Sequence, residues 1–120
     1  MMKWSFLLLG VLSLPAIAGQ AEINKDCMAH AQAFNVISNN AVGFYPNREL
    51  SQKLLRSQAP KTNPPEAGIR FAKGVIAKVY QDDSFRRILR DAGQVDLIMP
   101  YYRNCLEEPD KYLSDYDNVK

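Results

Sequence analysis

Cys27 and Cys105 constrain this chain more than any other pair of residues. They stand near opposite ends of 120 residues and are the only two cysteines. The first eighteen residues say which redox state to expect. Met1-Met2-Lys3 is a short positive start, and Trp4 to Leu14 is an apolar run interrupted only by Ser5, Gly10 and Ser13. Pro15 then precedes Ala16-Ile17-Ala18, an A-x-A site for signal peptidase. The run is shorter than the ~20 residues a membrane span needs. Residues 1–18 therefore read as a cleaved secretory signal peptide, and residues 19–120 as a single exported domain. In an oxidising compartment two cysteines pair. A bridge closing a loop of about 80 residues contributes roughly 4 kcal/mol on chain-entropy arithmetic. That is a large share of the ~5–15 kcal/mol typical of a whole domain, and it ties the first element to the last.

The elements between are helical. Ile23, Cys27, His30 and Ala31, Phe34, Ile37 and Ala41 step by three or four and predict one amphipathic helix from Glu22 to about Asn40. Asn39-Asn40 and Gly43 mark its exit. Asn47 predicts a cap for a second helix with Leu50, Leu54 and Leu55 inward, stopped by Pro60. Asn63-Pro64-Pro65-Glu66 predicts a third start, with Asn63 capping and Pro64 at the first helical position. The third helix buries Ile69, Ala72, Val75, Ile76, Val79 and Tyr80. Asp82-Asp83-Ser84 caps a fourth with Phe85, Ile88, Leu89 and Ala92 inward, and Gly93 terminates it. The last carries Leu97, Ile98, Tyr101, Tyr102 and Cys105, with Pro100 either in its first turn or kinking it. Residues 110–120 read as a short docked turn or a loose tail. The expected fold is all-α: a single small disulfide-closed bundle of four to five short helices.

Chemistry is harder to find. Asp26-Cys27-Met28-Ala29-His30 gathers three soft or borderline metal ligands, including the chain's one histidine. A bridged cysteine, however, has no thiolate to give a metal, and Met28 points about 100° away from Cys27 on a helix. No metal, cofactor or catalytic residue is assigned. No G-x-S-x-G elbow or phosphate-binding glycine loop occurs. The acidic pairs Asp82-Asp83 and Glu107-Glu108 fall at expected helix ends, where they act as caps and solvated surface.

What remains suits binding. Loss of Lys3 with the leader takes the formal charge from +2 to +1, which predicts neither a nucleic-acid partner nor membrane insertion after cleavage. Charge is unevenly spread, with 10 basic and 4 acidic residues in 48–90 against 3 and 7 in 91–120. The two segments either fold onto one another or face partners of opposite sign. Three places are candidate partner contacts: Phe44 and Tyr45 in the loop after the first helix, Lys61 in the proline-stiffened loop 58–65, and Tyr112 and Tyr116 near the C-terminus. Gly68 and Ala72, or the tyrosine-rich end, would allow a homodimer.

In size, compartment and two-cysteine architecture the chain resembles periplasmic immunity proteins, which occlude a toxin's cleft, and small acid-stress chaperones of the periplasm. The resemblance implies a periplasmic, non-enzymatic binding protein. The leading expectation is an immunity or inhibitor protein for a peptidoglycan-degrading enzyme. An envelope accessory or stress chaperone is the alternative, and a small hydrolase is less favoured.

Overall fold

Apolar residues at helical spacing that must bury one face against another give a bundle. The computed structural model describes the backbone of residues 2–113 and the side chains of residues 19–113. These residues form six α-helices and one 3-10 turn, with no strand among them. They are α1 (Met2–Phe44), α2 (Arg48–Leu55), the turn Arg56–Gln58, α3 (Pro65–Gln81), α4 (Asp83–Ala92), α5 (Ile98–Glu107) and α6 (Pro109–Leu113). The fold is the all-α bundle expected, with one long helix and a sixth, five-residue one. Among the described residues, no helix is long and apolar enough to cross a membrane.

α1 is the spine against which the others pack. Its stripe of Cys27, Ala31, Phe34, Ile37 and Ala41 is buried, as the spacing requires. Facing it are Phe71, Ala72, Val75, Ile76 and Val79 of α3, Leu89 of α4, and Tyr101 and Cys105 of α5. Phe34 stacks on Tyr101 at 4.9 Å and on Phe85 at 6.1 Å between ring centroids. Ring contacts also fix the directions of the helices. His30 meets Phe71 and Tyr45 meets Tyr80, so α1 and α3 run the same way. Cys27 meets Cys105 while Asn35 meets Leu97, so α5 runs against α1.

The staple is present. Cys27 and Cys105 form a disulfide with Cα atoms 5.6 Å apart, within the usual span for such a bond. By the loop-entropy argument it is worth about as much as burying two large apolar side chains.

Asn39 does not end α1 but joins it to a loop. Its Nδ2 donates to the Val95 carbonyl and its Oδ1 accepts from the Val95 N–H, each at 2.9 Å. One turn earlier, Asn35 Oδ1 accepts from the Leu97 N–H at 2.9 Å. Two side-chain amides thus satisfy the main chain leading into α5, where buried peptide groups need partners. Helix α1 continues to Phe44.

Caps follow the sequence in three places and depart from it in one. Asn47 Oδ1 accepts from Leu50 N at 2.9 Å, and Asp82 Oδ1 accepts from Phe85 N at 3.0 Å. Gly93 takes φ 79°, the left-handed region that glycine tolerates, just past α4. Asn63 does not cap α3, which starts at Pro65 after an extended Pro64. Thr62 supplies the oxygen instead, accepting from Gly68 N at 2.7 Å while donating to the Pro64 carbonyl at 2.7 Å. Pro100 lies in the first turn of α5, where its missing N–H leaves no bond unmade.

Two helix faces also differ from expectation. In α2, Leu50 and Leu54 are 41% and 47% exposed, while Leu55 and Ser51 are the buried residues. In α4, Ile88 is 56% exposed and Leu89 alone is fully buried. Short helices lying across neighbours bury a narrow line, and the neighbours' shape selects which line.

Candidate functional site

The described contact residues separate into two ends of the bundle. His30 and Phe44 are fourteen residues apart along α1, which is about 20 Å of helix rise. One end holds His30, Lys61 and the disulfide; the other holds Phe44 and Tyr45.

At the first end, α1, the loop before α3, the first turn of α3 and the last residue of α6 border an open cleft of about 500 Å³. Asp26, His30, Lys61, Thr62 and Asn63 give it polar walls, with Ala29, Ala67 and Leu113 between them. His30 is only 6% exposed. Its Nδ1 lies 2.9 Å from the Asp26 main-chain carbonyl oxygen. A carbonyl only accepts, so Nδ1 carries the proton and Nε2 of the neutral ring is an acceptor. The ring meets Phe71 edge to face at 4.7 Å. Burial pushes the His30 pKa below the usual imidazole value, opposed by the Asp26 carbonyl bond and the Asp26 charge.

The loop carrying Lys61 is held on both sides. Pro60 is buried, and its carbonyl lies where a Cβ on Gly68 would stand, 2.0 Å from that position. Only glycine allows this approach, and the Thr62 hydroxyl completes the clamp. Lys61 is exposed at its crest. Gly68 and Ala72, the small residues that would suit a helix partner, are buried within the chain.

At the other end Tyr45 is 45% exposed. Its ring lies 5.2 Å from that of Tyr80 and has the Arg86 guanidinium 4.1 Å over it. Arg86 Nη1 donates to the Val79 and Tyr80 carbonyls at 3.1 and 2.9 Å, and Nη2 pairs with Asp83. One guanidinium therefore ties the end of α3, the start of α4 and the turn after α1. Phe44 is half-buried.

Tyr112 is half-buried and sets its ring perpendicular to that of Tyr101 at 5.3 Å. Tyr101 is a core residue, and its hydroxyl donates to the Tyr112 carbonyl at 2.7 Å. Tyr112 thus docks α6, beside the Leu113 that lines the cleft. Tyr116 lies outside the described residues. The ion pairs Arg86–Asp83, Arg90–Asp91 and Lys111–Glu108 are each local in sequence, and the latter two, exposed on both sides, contribute at most about 1 kcal/mol each.

The cleft brings together Lys61, which sequence reasoning singled out, with Asp26 and His30, which it placed on a helix face without a role in binding. Nothing in the sequence pairs residues 26–30 with residues 61–63. The docking of the loop on α1 does so.

No protein-family model matches the chain, nor does any curated protein or solved structure.

Proposed function

We propose that the chain is exported to the periplasm and acts there as a non-enzymatic binding protein, an immunity-type inhibitor that occludes the cleft of a peptidoglycan-degrading enzyme. The observation that carries this reading is the braced loop. Lys61 projects from a segment fixed by buried Pro60, by the Gly68 contact and by two Thr62 hydrogen bonds. A contact loop already held in shape pays little ordering entropy on binding. The disulfide supports an oxidising compartment, and it removes both sulfurs from nucleophilic or metal chemistry.

The test is affinity capture of envelope proteins on oxidised residues 19–120, followed by an activity assay on whatever is retained. An inhibitor retains one enzyme at a stoichiometric ratio and abolishes its activity, and Lys61→Ala weakens both effects. Retention of many proteins, and only after acidification, would move the reading to a stress chaperone.

A further inference from the structure

The cleft contains an acceptor with nothing to accept. His30 is more than nine-tenths buried, and its protonated Nδ1 is committed to the Asp26 carbonyl. Its Nε2 has no hydrogen bond among the described residues, although the ring lines the cleft. The described side-chain atoms that are both buried and unpaired are Ser38 Oγ, Ser51 Oγ and Tyr80 Oη, so Nε2 is open to solvent in the cleft, and an entering group that brings a donor can pair with it. The Asp26 carboxylate, on the same helix turn and exposed, adds a negative charge to the same wall. Thr62 is already spent, since its hydroxyl both donates and accepts within the loop. The α1 wall is therefore acceptor-only, and the opposite lip carries Lys61.

We propose that this cleft receives an arginine side chain from the partner protein, its guanidinium bridging His30 Nε2 and the Asp26 carboxylate. Guanidinium has several N–H groups in a fixed planar fork and matches a carboxylate in paired geometry. A neutral ring nitrogen beside a carboxylate accepts two edges of that fork without placing a second positive charge on the histidine. Lysine offers only a point charge. An anionic ligand would meet the Asp26 charge and an imidazole that donates nothing. Lys61, on the far lip, repels the guanidinium and confines it to the α1 side. The inference relies on the proposed inhibitory function only for the source of the arginine.

The experiment is a titration of the oxidised protein, followed by nuclear magnetic resonance, with N-acetyl-arginine amide, its citrulline analogue and acetate. Arginine amide should give saturable shifts at Ala29, His30 and Asn63, including a shift of the His30 Nε2 resonance. Citrulline, which keeps the shape and loses the charge, should bind at least tenfold more weakly. Asp26→Asn and Lys61→Ala alter exposed side chains and leave the fold intact. The first should weaken arginine amide about tenfold, and the second should strengthen free arginine amide by removing a repelling charge, even though it removes the separate Lys61 contact with a whole partner. The reverse signs, with acetate binding tighter, would make this an anion site and overturn the proposal. Equal binding of citrulline, or no saturable shift, would also overturn it. If a captured enzyme binds the Asp26→Asn variant undiminished, the cleft assignment fails and the inhibitory function stands. If arginine amide fills the cleft but no enzyme is retained, the reverse holds.

Discussion

The two ends of the bundle are held by different physics. At the disulfide end, Cys27–Cys105 and the cluster of Phe34, Phe71 and Tyr101 fix the helices through covalent and apolar contacts. Some polar groups there, His30 Nε2 and the Asp26 and Lys61 side chains, are left out of that structural work and line a cleft. At the Tyr45 end one guanidinium performs the joining, through two carbonyls, a carboxylate and a ring. Its Arg86 donors are consumed by the fold, and the Tyr80 hydroxyl, unpaired among the described residues, is buried away from any partner. A surface with unspent donors and acceptors recognises a partner better than one whose groups are already paired, and this favours the disulfide end as the contact face.

That contrast can be broken most severely at the staple. Cys27→Ser should cost about 4 kcal/mol, or on the order of 20 °C in Tm for a domain of this size, measured by thermal unfolding in oxidising buffer. An unchanged Tm would mean that the apolar cluster alone secures this end. Next in size is Gly68→Ala. Alanine is the better helix former by about 1 kcal/mol, yet its Cβ would collide with the Pro60 carbonyl. The net result should be destabilisation of about 1–3 kcal/mol and loosening of the Lys61 loop, read by denaturant unfolding and by amide exchange at residues 60–63. A gain in stability would show that the loop yields freely.

Arg86→Ala tests the opposite end. It removes two hydrogen bonds from a charged donor and the stacking on Tyr45, and should cost about 2 kcal/mol. The cleft should be untouched, so the His30 resonances should not move; if they do, the ends are coupled. The smallest effect is a pH dependence. His30 is neutral and buried when folded, and its pKa is lowered. Between the ordinary value near 6.5 and the lower folded one, the unfolded chain binds more protons. Stability should therefore be full above the unfolded pKa and decline as pH falls through that window. Asp26 on α1 and Lys61 on the opposing loop are the charged groups lining the cleft with it. As the chain has one histidine, a titration of its ring resonance beside unfolding curves from pH 7.5 to 5 checks the assignment.

Much of the architecture was legible in residue spacing. The Cys27-to-Ala41 stripe, the Asn47 and Asp82 caps and the Gly93 terminator each rest on local rules, because a cap needs only its own first turn. Asn39 shows where local rules stop. An asparagine in a helix weakens propensity, and reading it as an exit is sound until a loop 56 residues away supplies a peptide group to bind. Leu50, Leu54 and Ile88 teach the same lesson about faces. Counting apolar positions identifies a stripe, but a helix of eight or ten residues buries only the line its neighbours leave room for. The cleft is the extreme case, as its walls come from residues 26–30 of α1, from residues 61–67 and from the end of α6.

The sequence by itself determined the helical class, the disulfide that closes the bundle and most helix boundaries, since these depend on spacing, capping chemistry and two cysteines with no other partner. Only the tertiary structure decided which polar groups were used up and which remained free. His30 became an unpaired acceptor because its ring packs on Phe71 and turns Nδ1 to its own helix, and Tyr45 became a structural ring because Arg86 reaches it. Such outcomes depend on which distant groups meet, and no local pattern encodes that.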